Sequence, residues 1–263
     1  MMTEARLKIK KPQKEKFKMR KTLLMLLAFL VGPVLASAAE MTVSGAASLT
    51  NAFTELKSVF EKENPGLVVN TNFAASNPLL RQLVEGAPVD VFATADQETM
   101  DKAVEAKVVD PATRKTFALN DLVLIVPKGG AKPKSLNDLS KMDRIAIGNP
   151  ASVPAGRYTK AALENAKLWN DIEKKFILAN SVRQALDYVA RSEVDAGFVY
   201  ATDARQMKDK VDVALIVEGH DPVSYPIAIA VTGNNPEAGK KFIELVLSPE
   251  GQKVLAKYGF SRP

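Results

Sequence analysis

The sequence predicts an α/β fold of two lobes, each a mostly parallel β-sheet flanked by helices. Strand-like and helix-like segments alternate through almost all of residues 39–263. Repeated β-α-β units of this kind place parallel strands side by side with helices on the sheet faces. So many strands divide more naturally between two sheets than they fit into one.

The first half of the pattern begins with the strand MTVSGAA and the helix LTNAFTELKSVFEKEN. Apolar residues recur in this helix at spacings of three and four, which is typical of an amphipathic helix: Leu49, Ala52, Phe53, Leu56, Val59 and Phe60. Next come the strand GLVVNTNF, the helix PLLRQLVEG, the strand VDVFATA and the helix QETMDKAVEAK. This half predicts three strands separated by helices.

The second half repeats the alternation. Strands are predicted at LNDLVLIVPKGG, RIAIGNP, KFILAN, DAGFVYATDA, VDVALIV and YPIAIAV, and helices at AGRYTKAALENAKL, SVRQALDYVARS, PEAGKKFIELVLS and PEGQKVLAKYG. The segments DLVLIVPK and PVSYPIAIA are the predicted crossover strands between the lobes. The first lobe is then residues 39–120 plus 224–263, and the second is residues 121–223.

The positive charge of the chain is concentrated at its beginning. The whole chain carries a formal net charge of +6, whereas residues 1–38 hold nine basic and two acidic side chains, and so a charge of +7. Their basic stretch, the apolar run TLLMLLAFLVGPVLA and the small residues ASAAE have the layout of a secretory signal peptide. We expect cleavage near Ala38, with Met19 an alternative start; a membrane anchor is the other interpretation of the run.

The cysteine count narrows the destination of the protein. The chain has no cysteine, which excludes disulfides, a thiol nucleophile, a thiolate metal site and a lipid-modified cysteine after the leader. We therefore expect a periplasmic protein that is not a lipoprotein. We also expect it to be a monomer. Without its basic leader, the chain also lacks the charge that a nucleic-acid-binding role needs.

Four loops of the predicted sheets suit a ligand site. Ligands of open α/β sheets bind beyond the carboxyl ends of the strands, in loops that begin helices. Ser48, Ser76, Ala155 and Val182 each lie in such a loop. A helix start leaves free N–H groups and a partial positive charge, so several starts aimed at one point would hold an anion. A serine there also has a simpler interpretation, as an ordinary helix cap.

Several blocks of sequence, in order and spacing, resemble the periplasmic molybdate-binding proteins of ABC importers, within the type II periplasmic solute-binding protein family. They are AASLTNAF, FAASNPLLRQLVEGAPVDVFATAD, VPAGRYTKAAL, VRQALDYVARSEVDAGFVYATDA and the closing YGF. The resemblance runs from about residue 41 to residue 260. It implies a two-lobed periplasmic binding protein fold of type II, with the ligand in the cleft between the lobes.

The resemblance also implies the ligand and its residues. A tetrahedral molybdate or tungstate anion would be held by neutral hydrogen bonds. Ser48 and Ser76 would donate through hydroxyl and backbone N–H, Ala155 and Val182 through backbone N–H, and Tyr200 through its phenol. The only metal implied is the molybdenum of molybdate, so these five residues would also be the metal-site residues. The resemblance implies no catalytic residue and no cofactor.

Such a site selects by the chemistry of its donors. Molybdate and tungstate are fully ionised at neutral pH and only accept hydrogen bonds, whereas phosphate keeps a proton that would find no acceptor, at a cost of roughly 1–3 kcal/mol. Sulfate, which also only accepts, stays open as an alternative ligand. Arg81, Arg157 and Arg183 lie near these loops, but each falls in a predicted helix where a solvated position is expected.

The resemblance implies a working cycle in which lobe closure buries the anion and the closed protein docks on a membrane permease. Since no GxxxxGK[ST] motif occurs, the ATPase must be a separate chain, and membrane contact is expected only through the permease. A secreted serine hydrolase is the rival class. It would need a base for Ser48 or Ser76, and the only histidine is His220. We therefore expect a binding protein, not an enzyme.

Overall fold

The computed structural model describes residues 39–263, which form one compact unit. The predicted signal peptide lies outside the described residues. Ten strands occur in the described part: β1 Ala39–Ala46, β2 Leu67–Ala74, β3 Val91–Ala93, β4 Lys115–Asn120, β5 Leu122–Pro127, β6 Ile145–Gly148, β7 Phe176–Ala179, β8 Ala196–Tyr200, β9 Val211–Ile216 and β10 Val223–Ile229.

Nine α-helices alternate with these strands in the same range. They are α1 Thr50–Glu63, α2 Ser76–Val84, α3 Gln97–Glu105, α4 Pro154–Asn165, α5 Trp169–Ile172, α6 Val182–Ala190, α7 Ala201–Gln206, α8 Pro236–Leu247 and α9 Pro249–Lys257. Short 3-10 turns lie at Ala47–Leu49, Pro111–Thr113, Leu136–Lys141 and Glu173–Lys175. No helix of residues 39–263 is long and apolar enough to cross a bilayer.

The strands form two five-stranded sheets of the same design. The first has the order β2-β1-β3-β10-β4 and the second the order β7-β6-β8-β5-β9. In each sheet one strand runs against its neighbours, β10 in the first and β5 in the second. The predicted α/β fold of two mostly parallel sheets flanked by helices is confirmed, and we call each sheet with its helices a lobe.

The two antiparallel strands are those at which the chain changes sheet. It passes from β4 to β5 at Asp121, and returns between β9 and β10. Asp121 alone separates two strands that belong to different sheets. The finer boundaries predicted for the lobes, 39–120 plus 224–263 and 121–223, remain a prediction.

Helix α1 shows how the apolar spacing builds the core. Ala52, Phe53, Leu56 and Phe60 are buried, and Phe53 and Phe60 lie edge-on to Phe242 of α8, with ring centroids 5.8 and 5.4 Å apart. Edge-on contacts of this kind add to the stabilisation that burial of the rings provides. The predicted face of α1 is therefore the one that packs.

Two predicted strands differ from the observed elements. The segment LNDLVLIVPKGG is the end of β4 followed by β5, and DAGFVYATDA ends as a strand at Tyr200, where α7 begins. Asp203 lies in the first turn of α7, where an acid interacts favourably with the helix dipole. The strand-to-helix change at Tyr200 places its side chain at the carboxyl end of β8.

Candidate functional site

A small cavity lies where the strand ends of the two sheets meet. Its volume is about 10 Å³. That is far below the pockets of about 300–1,000 Å³ that take organic ligands. Eleven residues line it: Ala46, Ala47, Ser48, Ala75, Ser76, Ala95, Val153, Pro154, Ala155, Val182 and Tyr200.

All five residues predicted from the sequence line this one cavity. Ser48 and Ser76 come from the first lobe, and Ala155, Val182 and Tyr200 from the second. Each is buried. Convergence in space was the property that sequence spacing alone did not show. Their role as ligand-binding residues stays a prediction.

The first-lobe serines are not helix caps. Ser76 is the first residue of α2, whose cap is Ala75, and Ser48 lies inside the turn Ala47–Leu49; neither element has a side-chain cap bond. The Ser76 Oγ accepts from the Ala95 N–H at 3.1 Å, and the Ser48 Oγ lies 3.0 Å from the Tyr225 hydroxyl. The simple capping interpretation is therefore wrong for both.

The two second-lobe helices begin at the cavity. Ala155 is the second residue of α4 and Val182 the first of α6, and N–H groups in a first helical turn have no partner within the helix. The cap of α6 is Ser181, whose Oγ accepts from the Gln184 N–H at 3.2 Å. The serine at this loop is thus a cap, and Val182 next to it lines the cavity.

Gly156 lets α4 begin directly against β6. A Cβ at this position would lie 1.9 Å from the carbonyl oxygen of Gly148, the last residue of β6. Only a residue without a side chain permits that approach. The position of the neighbouring Ala155 N–H at the cavity therefore depends on a glycine at 156.

Tyr200 places a buried hydroxyl at the cavity. The side chain is 1% exposed, and its hydroxyl makes no hydrogen bond to any described residue. Burial raises the pKa of Tyr200 well above its usual value, so the group stays protonated and able to donate. A buried polar group is normally paired, and this one lines a cavity whose other polar side chains are two serines.

The cavity is therefore built to donate hydrogen bonds. Among the described residues that line it there is no charged side chain, and no group of three or more His, Asp or Glu in residues 39–263 is placed to hold a metal ion. Hydroxyls and helix-start N–H groups fit an acceptor with negative charge. The arrangement can bind a small anion without a salt bridge.

Comparison with known proteins decides the family. The bacterial extracellular solute-binding protein family matches residues 41–261. The chain belongs to this family. The molybdate-binding protein ModA of Escherichia coli is 39% identical over 238 residues, which cover 88% of this chain and 92% of that protein. As a member of a family of binding proteins, the chain is not an enzyme.

Two solved structures share both fold and sequence with this family member. The periplasmic molybdate-binding protein of Azotobacter vinelandii superimposes with a TM-score of 0.73 at 25% identity, over 85% of this chain and 99% of that one. The substrate-binding domain of a putative molybdenum ABC transporter from Clostridium difficile gives 0.66 at 33%, over 86% and 99%. The type II periplasmic binding protein fold is confirmed.

Two of the three arginines near the cavity of this solute-binding protein differ from expectation. Arg81 is exposed, but Arg157 and Arg183 are largely buried and pair with carboxylates. The prediction of solvated positions for these two is wrong, because each finds a buried acid in its neighbourhood. Neither lines the cavity.

Arg157 joins the two lobes. From α4 it pairs with Asp96, the cap of α3 in the first lobe, and donates to Thr99 Oγ1 at 2.8 Å. Nearby, Asn77 of α2 donates from Nδ2 to the Ala151 carbonyl at 3.1 Å. Both contacts cross the cleft, so they hold the lobes together over the cavity.

Arg183 makes a further contact between the lobes. Its Nη2 donates to the Ser48 carbonyl at 3.4 Å, and its Nε lies 2.5 Å from Asp203 Oδ1. Burial raises the pKa of Asp203 to about 6, against the opposing effect of the Arg183 guanidinium. The arginine thus reaches the backbone behind a cavity serine and not the cavity itself.

His220 is far from serving either serine as a base. Its ring nitrogens lie 2.6 and 3.0 Å from the carbonyl oxygens of Asp221 and Val217, while the serine hydroxyls contact Tyr225 and the Ala95 N–H. A serine nucleophile needs a base within hydrogen-bond reach. The geometry agrees with the family in excluding the hydrolase alternative.

Residues behind the cavity were missed by sequence reasoning. Tyr225 and Asn120 are buried and stand in line behind Ser48. Tyr225 could have been singled out from the sequence, because a tyrosine inside the apolar strand YPIAIAV needs a hydrogen-bond partner for its hydroxyl. Nothing in the sequence around Asn120 indicates its role, because that role depends on contacts between strands that are distant in the sequence.

Proposed function

We propose that the protein captures molybdate or tungstate in this cavity and delivers it to the permease of an ABC importer. The observation that carries the proposal is the buried Tyr200 hydroxyl, a donor in a cavity of donors that has no hydrogen-bond partner in residues 39–263. The names of the relatives support molybdate as the anion: the Escherichia coli and Azotobacter vinelandii proteins are both molybdate-binding.

The donors match a fully ionised tetrahedral anion. The proposed set is the hydroxyls of Ser48, Ser76 and Tyr200 and the N–H groups at Ser48, Ser76, Ala155 and Val182. All are neutral, and the helix starts of α2, α4 and α6 add partial positive charge. No cofactor is part of the proposal, since the anion is cargo.

The cellular setting is proposed on the same grounds. The protein would work as a monomer in the periplasm, where the relative from Azotobacter vinelandii is placed by its name. It would be exported with a cleavable signal peptide and without a lipid anchor. The ATPase that drives import would be a separate subunit that contacts the permease.

Calorimetric titration of residues 39–263 with four sodium salts tests the proposal. We expect one-to-one binding of molybdate and tungstate, and no measurable heat with phosphate, whose proton would lie unpaired against donors. Sulfate only accepts hydrogen bonds too, so its exclusion depends on cavity size. Equal binding of sulfate and molybdate would replace the proposed ligand with a general oxyanion.

Replacing Ser76 with alanine should weaken molybdate binding about ten- to a hundredfold, because a hydrogen bond to a charged acceptor contributes roughly 1.5–3 kcal/mol. The Ala95 N–H would lose its acceptor as well. Calorimetry gives the affinity and thermal unfolding the stability. The matched control is Ser58→Ala on the exposed face of α1, where the hydroxyl donates only to the Thr54 carbonyl. Equal affinities for both variants would remove Ser76 from the site.

A further inference from the structure

Ser48 has to present a hydrogen, and not a lone pair, to an anion. A serine hydroxyl can do either, since it has one hydrogen and two lone pairs. The Ser48 Oγ lies 3.0 Å from the Tyr225 hydroxyl in a fully buried contact. That distance alone leaves open which of the two oxygens donates.

Asn120 decides the direction of this hydrogen bond. Its Oδ1 accepts from the Asp121 N–H at 3.0 Å, which fixes the orientation of the side-chain amide. The Nδ2 group then donates to Thr202 Oγ1 at 2.8 Å and to the Tyr225 oxygen at 3.2 Å. An amide NH₂ cannot accept, so the Tyr225 oxygen is an acceptor toward Asn120.

The Tyr225 hydrogen is thereby directed to Ser48. Tyr225 is fully buried, and burial raises its pKa well above the usual value, so the hydroxyl keeps its hydrogen. Because Asn120 occupies one side of the Tyr225 oxygen, the hydrogen goes to the Ser48 Oγ. Ser48 then accepts from Tyr225, and its own hydrogen is left for the cavity.

The Ser76 hydroxyl is oriented in the same way, by a backbone N–H group. Its Oγ accepts from the Ala95 N–H at 3.1 Å, and a backbone N–H only donates. The hydrogen of Ser76 is therefore also left over. Both cavity serines thus receive a hydrogen bond from the protein behind them.

We propose that Tyr225, held by Asn120, is a positioning residue that fixes Ser48 as a donor and so makes the cavity select anions without a proton. This rests on the proposed function. An anion that carries a proton would need Ser48 to accept, so the Ser48 hydrogen would have to turn away from the anion. The Tyr225 hydrogen already occupies the position behind Ser48 to which it would turn. With phenylalanine at 225, Ser48 is free to accept.

A double-mutant cycle on Tyr225 and Ser48 tests this. Tyr225→Phe should weaken molybdate binding about five- to tenfold, in line with one neutral hydrogen bond, when Ser48 is present. In the Ser48→Ala background the same change should have no effect, because Tyr225 acts through the Ser48 hydroxyl. Tyr225→Phe should also show measurable binding of hydrogen phosphate, for which we expect no measurable heat in the unaltered protein.

The control is Tyr258→Phe, which removes a hydroxyl that donates to Glu55 at the surface. It should bind molybdate with unchanged affinity and still show no measurable heat with hydrogen phosphate. Equal loss in both Ser48 backgrounds, or no loss in either, would overturn the inference. If Tyr225→Phe fails to fold, Asn120→Leu takes its place, with the same expected dependence on Ser48. Failure of the unaltered protein to bind molybdate would instead defeat the proposed function.

Discussion

Replacing Gly156 with alanine should destabilise the protein by about 3 kcal/mol, at the upper end of overpacking costs, and should weaken molybdate binding at least about tenfold. The added Cβ would meet backbone atoms of Gly148 at 1.9 and 2.6 Å, and neither can rotate away. The start of α4 would have to move off β6. A shift of an ångström takes the Ala155 N–H out of hydrogen-bond range of an anion.

Thermal unfolding and calorimetry on the same sample separate the two effects. Gly66→Ala serves as control, because Gly66 has a φ of 89° but open space around it, and it lies at the amino end of β2, away from the cavity. That variant should lose stability through backbone strain and keep its affinity. A Gly156→Ala protein with unchanged affinity would show that α4 does not position a donor.

Replacing Tyr200 with phenylalanine should lower molybdate affinity about ten- to a hundredfold, the range for a hydrogen bond to a charged group. The stability of the ligand-free protein should be unchanged or higher, since the lost hydroxyl has no partner among the described residues. Loss of a core contact would lower stability, whereas loss of a ligand donor lowers binding alone. The combination therefore distinguishes a ligand donor from a core residue.

The measurements are again calorimetric titration and thermal unfolding of the ligand-free protein. The matched control is Tyr258→Phe, which also loses one hydroxyl. Tyr200 packs edge-on to Tyr225 with ring centroids 5.9 Å apart, and phenylalanine keeps that contact. A variant that is destabilised but binds normally would place the Tyr200 hydroxyl in the fold and not in the site.

Local signals in the sequence predicted most of the helices. The apolar spacing of α1 and the helix start at Pro154 depend only on residues close together in the sequence. The observed starts of these two helices therefore lie within a residue or so of the predicted ones. The break between β4 and β5 is different. There a single polar pair, Asn120 and Asp121, interrupts an apolar run, and only pairing with distant strands assigns its two sides to different sheets.

Part of the candidate site could also be predicted from the sequence, and part could not. The family resemblance predicts all five site residues, and loop positions also single out four of them. The structure places all five at one cavity: Ser48, Ser76, Ala155, Val182 and Tyr200. The partners of Arg157 and Arg183 could not be predicted, since Asp96 and Asp203 reach them only across the folded cleft or within the second lobe. Sequence periodicity carries no information on such pairs.

The position of β10 in the first sheet has a consequence for how the chain folds. The second sheet uses one uninterrupted stretch, from β5 to β9, whereas the first must insert β10 between β3 and β4, pairing Ile227 with Ala93 and Ser224 with Leu119. Closing so long a loop is entropically costly and slows folding. We expect the second lobe to form first during synthesis, and the amino-terminal half to stay incomplete until nearly the whole chain has emerged.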